Sequence, residues 1–446
     1  MFNVLKNRTY RHLFAAQVVA LVGTGLMTVA LALLAYDLAG ENAGAVLGTA
    51  LAIKMAAYVV VGLLAGGVAN LVPRRAFLVS LDLVRASVAV ALPFVDEVWQ
   101  IYVLIALLQS ASAAFTPTFQ ATIPDILPGE RDYTNALSLS RIAYDLENLL
   151  SPMLAAALVA LIGYHWLFGG TVFGFLASAA LVLSVVLPAK APATVAETGL
   201  RRMTRGSRIY LATPRLRGLL ALNLAVAAGG AMIIVNTVVL VRTTFGLGET
   251  DVALALAVFG GGSMLAALAL PRLLDALDDR SVMTGSAVAV AVLLCGLGAV
   301  LAAGDASRLW IAMLLVWGAA GIFSSAMQVP TGRLLRRSAH DGDRPAIFSA
   351  QFALSHACWL VTYPLAGWLG ASAGMPVALA VLGTIAGLGA AAAILLWPKD
   401  DREVVPHRHP ELPPHHPHLQ GADPDAHHAH PYVIDDLHRR WPAAAR

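Results

Sequence analysis

Charge is scarce in this chain. Of 446 residues only 13% are Asp, Glu, Lys or Arg, about half the share found in soluble globular domains. That scarcity excludes an ordinary soluble protein. Cysteine is nearly missing too: Cys295 and Cys358 are the two present. Both fall inside apolar runs, so no disulfide framework is expected. The sequence has no G-x-x-x-x-G-K-[ST] loop, which excludes a nucleotide engine of that type. The net charge of +3 follows from the topology described below and marks no nucleic-acid surface, so no nucleic-acid partner is expected.

What is present is apolar: 58% of the residues are hydrophobic and the mean hydropathy is +0.72. A bilayer core takes about 20 apolar residues per helix. Twelve runs qualify: 13–36, 44–69, 77–95, 99–120, 138–162, 166–187, 217–241, 252–274, 282–303, 309–330, 346–370 and 376–397. They are rich in Ala, Leu, Val and Gly and show no strand alternation, so they predict helices that pack closely in lipid. Lys and Arg crowd alternate connections, with Arg201, Arg202, Arg205, Arg208, Arg215 and Arg217 in the centre. The opposite connections hold Arg242 and Arg308. The positive-inside rule then places both termini in the cytoplasm. The first run follows a short basic segment without a small-residue cleavage site, and reads as a retained helix.

Ionisable residues inside spans are costly and face a cavity or a partner. Lys54 lies near the middle of the second run, and Asp145 and Glu147 lie within the fifth. Arg141, four residues before Asp145, shares its face. Asp145 and Glu147 are two apart, about 200° around a helix, so one of them looks into a central cavity and the other at a neighbour. Lys54 and Asp145 read equally as coupling groups or as an interhelical ion pair. Asp82 and Arg85 read as a structural pair. His356 and Cys358 fall mid-run in the eleventh span, on opposite sides of a regular helix. Proton-coupling candidates are thus Asp145, Glu147, Lys54, Arg141 and His356.

After residue 397 the composition changes. Nine of the thirteen histidines lie in the tail 398–446, among Pro, Asp and Gly. Such a composition predicts a disordered segment. It also offers many imidazoles to a metal ion: His407, His409, His415, His416, His418, His427, His428 and His430. With no thiol in the tail, nickel, cobalt or zinc is favoured over copper(I). No other cofactor is expected.

The polar, basic segment 188–216 separates a six-span half, 1–187, from a second, 217–397. Pro117-Thr118 closes the fourth span and Gly129-Glu130-Arg131 follows. Pro330-Thr331 closes the tenth and Gly342-Asp343-Arg344 follows at the same interval. The loop Gly66-Gly67-Val68-Ala69-Asn70-Leu71-Val72-Pro73-Arg74-Arg75 resembles the signature loop of the major facilitator superfamily, with Asn70 in place of the usual acid and Pro73 in place of a glycine. The stretches Asn7-Arg8-Thr9-Tyr10-Arg11-His12-Leu13-Phe14, Leu21-Val22-Gly23-Thr24-Gly25 and Ala114 to Pro124 resemble its siderophore-exporter branch. With the His-rich tail, the chain is similar to bacterial nickel-resistance exporters of that superfamily. The resemblance implies an all-α, twelve-helix inner-membrane protein that is not an enzyme. It implies that Gly66, Asn70, Arg74 and Arg75 form a conformational loop. It further implies export of nickel, and of cobalt, by proton antiport. Two alternatives stay open: an exporter of a siderophore or amphiphilic drug, and a membrane metal sensor.

Overall fold

The computed structural model describes residues 2–68, 73–187, 200–273, 277–304, 309–340, 343–402, 404–408, 418, 428–435 and 437–442. The first half contains α1 (Arg8–Ala39), α2 (Ala43–Val68), α3 (Arg74–Ala91), α4 (Val98–Ile126), α5 (Glu130–Ile162) and α6 (His165–Leu183). A short helix, α7 (Leu200–Ala212), precedes α8 (Pro214–Val239), α9 (Glu249–Leu273), α10 (Asp279–Ala303), α11 (Trp310–Gln328), α12 (Thr331–Arg337), α13 (Arg344–Ala373) and α14 (Met375–Leu396). Among the described residues, nine helical segments are long and apolar enough to cross a membrane. The first of these, Arg8–Tyr58, runs through α1 and into α2. Helices α5 and α13 are longer than most of the others.

Local sequence sets the helix ends. The Asn7 side chain accepts the Tyr10 N–H at 3.1 Å and starts α1. Glu97 and Gln100 form a reciprocal capping box on α4. Gly163 (φ 76°) joins α5 to α6, and Gly374 (φ 85°) joins α13 to α14. Both sit in the left-handed region that favours glycine, at the same place in each half.

The duplication extends to side-chain contacts. Arg74 at the start of α3 pairs with Asp125 at the end of α4. At the start of α10, Asp279 pairs instead with Arg333 of α12 (3.0 Å from Nε). The charges are exchanged but the joint is the same. Arg75 donates to the Leu183 carbonyl at the end of α6. Arg280 donates to Trp397 O (2.8 Å) and Ile394 O (3.0 Å) at the end of α14. In each half an arginine thus satisfies the orphan carbonyls that end the sixth helix. Of the expected conformational loop, Arg74 and Arg75 make these bonds. Asn70 lies outside the described residues, as does the surrounding of Gly66, which falls within α2.

Across the two halves α2 packs on α13, and α5 on α9. At the end of the bundle remote from the N-terminus the α2–α13 approach is backbone to backbone. A Cβ on Gly367 would collide with the Gly44 carbonyl, and one on Gly48 with the Tyr363 carbonyl. Tyr36 Oη meets Thr243 Oγ1 at 3.1 Å, and Arg242 lies 5.1 Å over the Tyr36 ring. Gly367→Leu should therefore force the halves apart at this end. A cysteine placed at Thr49, which accepts from Trp368 Nε1 at 3.2 Å, should become more reactive to a thiol reagent in that background. Unchanged reactivity would refute the close approach.

Two segments outside the apolar runs carry structure of their own. Within the polar segment 188–216, α7 packs against α13. Arg205 of α7 makes a two-pronged bond to Asp343 (2.6 and 3.1 Å), and Tyr210 donates to Gln351 of α13. A Cβ on Gly206 would strike the Ala346 carbonyl. Helix α7 therefore travels with the second half. The tail, expected to be disordered, is folded in its described parts: β1 (Val404–His407) pairs antiparallel with β2 (His428–Pro431). Tyr432, Val433 and Ile434 are buried. A few apolar residues suffice because the tail uses the end of the second half as its core.

Candidate functional site

Three ionisable side chains lie at similar height, near the middle of their helices. Lys54 is at the middle of α2, Glu147 at the middle of α5 and His356 near the middle of α13. Lys54 and Glu147 act on each other electrostatically, and the field of Lys54 reaches His356. Neither Lys54 nor Glu147 makes a direct ion pair with a described residue. The Glu147 carboxyl lies against α1: a Cβ built on Gly25 would come 3.3 Å from its Oε1. His356 stacks on Phe352 (3.9 Å between centroids) and approaches Tyr58 of α2 (5.6 Å). Its Nδ1 lies 2.7 Å from the Phe352 carbonyl. A carbonyl only accepts, so Nδ1 carries the proton and Nε2 keeps its lone pair. The group draws on both halves, so motion of one half against the other changes its spacing.

Of the five coupling candidates, Lys54, Glu147 and His356 are brought together. The side chains of Arg141 and Asp145 lie outside the described residues. Of the two carboxylates that the sequence leaves open, Glu147 is the one seen beside Lys54. Asp82 and Arg85 do form a buried pair. Ser178 donates to Asp82 at 2.7 Å, and Arg85 lies between the Phe115 and Phe175 rings (4.2 and 4.7 Å).

The second cluster is in the tail. His407, His418, His430 and His438 place their ligand atoms within 4.8 Å of one another. His407 Nε2 is 3.1 Å from His438 Nε2, and His430 Nε2 is 3.2 Å from His418 Nε2. The opposite ring nitrogens face outward: His407 Nδ1 to Val405 O (2.8 Å), His430 Nδ1 to Pro431 O (2.9 Å) and His438 Nδ1 to Asp435 Oδ1 (3.0 Å). Burial works to raise the Asp435 carboxyl, but the His438 backbone N–H, its ring and the Leu437 N–H outweigh it and hold it low. Strand β1 supplies His407 and β2 supplies His430, so the hairpin makes half of the cluster.

Three of the tail histidines singled out from sequence, His407, His418 and His430, enter this cluster. His409, His415, His416 and His427 lie outside the described residues, and so does the His428 side chain. His438 completes the cluster although adjacency in sequence does not group it with the others. No signal in the sequence separates these four from the other tail histidines, because prolines adjoin His409, His415 and His416 as well.

Comparison with known proteins follows the geometry. Residues 1–337 match the family described as transmembrane secretion effector. The MFS-type transporter YfiS of Bacillus subtilis (strain 168) is 26% identical over 124 residues. That match covers 28% of this chain and 30% of YfiS, so the chain spans under a third of that relative's length. A bacterial homologue of the human lysosomal transporter Spinster, inward-facing and unoccupied, superposes with TM-score 0.68 at 12% identity, covering 87% of this chain and 96% of its own. A POT family transporter in complex with 5-aminolevulinic acid gives 0.68 at 12%, covering 89% and 97%. A D-xylose-proton symporter gives 0.64 at 14%, covering 90% and 98%. At these identities the structures share the fold with this chain.

Proposed function

The chain belongs to the transmembrane secretion effector family of the major facilitator superfamily, and from that premise we propose that it exports a divalent metal ion, nickel and also cobalt, in exchange for protons. In this reading twelve helices span a bacterial inner membrane, both termini are cytoplasmic, and residues 1–187 rock against the second half about a mid-height site. The observation that carries the reading is the placement of Lys54, Glu147 and His356, from both halves, at similar height. Moving a divalent cation out against an inside-negative potential costs about 4.6 kcal/mol per 100 mV, twice the single-charge figure. Two protons entering per ion cancel that electrical cost. Glu147 and His356 are groups that can take up and release protons. The metal assignment rests on the histidines of the tail.

Cells expressing the protein should accumulate less nickel than cells with an empty vector. Everted vesicles should take nickel up when a pH gradient is imposed. Equal accumulation, with the protein present in the membrane, removes the nickel assignment. One observation favours a second reading. Tyr58 of α2 and Phe352 of α13 meet across the seam one turn from Lys54, an aromatic and cationic setting suited to an amphiphilic anion. The same vesicles offered a fluorescent amphiphilic dye decide between the two cargoes.

A further inference from the structure

We propose that His407, His418, His430 and His438 form a closed four-imidazole site for one resident divalent ion of the zinc or cobalt(II) type, and that this ion folds the tail onto the end of the second half. The site does not rest on the exporter reading, because the ion is a structural fixture and not cargo.

Three features of the geometry point to it. First, the nitrogens converge with the correct polarity. Val405 O, Pro431 O and the Asp435 carboxylate are acceptors, so the facing Nδ1 atoms of His407, His430 and His438 carry the protons. Their Nε2 lone pairs then point inward. Two lone pairs 3.1 Å apart, as at His407 and His438, repel unless a proton or a metal ion lies between them, and the Co(II) titration below separates the two.

Second, the dimensions suit a tetrahedron. Metal–imidazole bonds of about 2.05 Å put ligand nitrogens about 3.3 Å apart and ring centroids about 5 Å apart. The two measured nitrogen pairs are 3.1 and 3.2 Å. The six centroid separations run from 4.6 to 6.3 Å. Among the described residues four imidazoles converge, the number that fills a tetrahedral structural site.

Third, the support around the ligands is in place. Asp435 orients His438 and offsets part of the ion's charge, as carboxylates behind ligating histidines do. Asp435 is also 3.4 Å from His340 of the body. Tyr432 sets its ring against His407 and His438 (4.8 and 4.6 Å) and against Trp441 (5.1 Å). Trp441 in turn covers Arg215 at the start of α8 (5.1 Å). Asp401 at the root of the tail bonds Arg215, Arg337 and Trp397 Nε1 (3.0 Å). A continuous path of contacts thus runs from the four histidines to the first helix of the second half.

The test uses the full-length protein in lipid nanodiscs, stripped with a chelator and titrated with Co(II). The expected result is the intense visible absorption of tetrahedral cobalt, complete at one equivalent. Zn(II) should abolish that absorption by displacement and should slow tryptic cleavage after Arg439 and Arg440. His438→Ala and His418→Ala should lose both effects, while His12→Ala, on α1 and outside the tail, keeps both. His438→Cys guards against a merely misfolded tail: it should retain the intense band and add a sulfur-to-cobalt charge-transfer band. Faint, octahedral-type absorption that keeps growing over several equivalents overturns the proposal in favour of a loose polyhistidine buffer. So does an unaltered spectrum in His438→Ala, or a His438→Cys spectrum without the sulfur band. None of these readouts involves transport, so failure of the exporter reading leaves them untouched.

Discussion

Glu147→Gln should reduce pH-driven uptake into everted vesicles to the level of vesicles without the protein. Glutamine keeps the shape of the side chain but cannot carry a proton through the cycle. Exchange of labelled for unlabelled substrate, which needs no net proton movement, should persist and would show that the variant is folded and binds. Glu147→Asp should retain part of the driven flux, since it keeps a titratable carboxyl. Lys54→Met separates coupling from architecture. If Glu147 served only to neutralise Lys54, the double variant would recover driven transport, because the unpaired buried cation would be gone. Recovery in the double variant, or full pH-driven flux in Glu147→Gln alone, defeats the coupling role. Loss of driven flux in Asp145→Asn with Glu147→Gln unaffected would move the role to Asp145.

Arg85→Met should destabilise the first half by about 3–5 kcal/mol, the usual cost of leaving one member of a buried pair without its partner. Asp82 is fully buried and the Arg85 side chain is 6% exposed. Without the guanidinium, Asp82 keeps only the Ser178 hydroxyl. The phenylalanines on either side of Arg85 offer nothing to a carboxylate. Asp82→Asn combined with Arg85→Met should recover most of the loss, because an amide and a thioether are tolerated where a lone charge is not. The check is thermal unfolding of the detergent-solubilised protein, following the first half by a tryptophan such as Trp99 or Trp166. Equal unfolding temperatures for wild type and Arg85→Met would mean that water or lipid headgroups reach this pair.

Much of the body was legible in the sequence because lipid leaves a chain few choices. Every buried backbone group must be bonded within a helix, so long apolar runs translate directly into helices. The repeated Pro-Thr motif pointed to a duplication, and Gly163 and Gly374, like Arg75 and Arg280, occupy matching places in the two halves. The exchanged charges of Arg74–Asp125 and Asp279–Arg333 were not legible. Either order of charge closes the same joint, so no fixed motif marks it. Lys54 and His356 were visible as intramembrane polar residues, but their proximity to Glu147 was not, since the three lie on helices far apart in sequence. Spacing along α5 showed that Asp145 and Glu147 diverge. It could not say which one faces Lys54, because that depends on how α5 is rotated against its neighbours.

The tail shows the same division. Composition alone showed that residues 398–446 carry many imidazoles and few apolar side chains, and it favoured divalent ions over copper(I). Disorder followed from the rule that such a segment cannot bury a core of its own. In its described residues the tail departs from that inference, with Asp401, Tyr432, Ile434 and Trp441 held against surface that the second half supplies. Among those residues His407, His418, His430 and His438 converge, one from each of four separate segments. Sequence determined the membrane body, the duplication and the stock of ligands, since lipid burial and imidazole chemistry act residue by residue. Only the tertiary structure decided which charges meet and which nitrogens converge, because those depend on distances between segments that the order of residues does not contain.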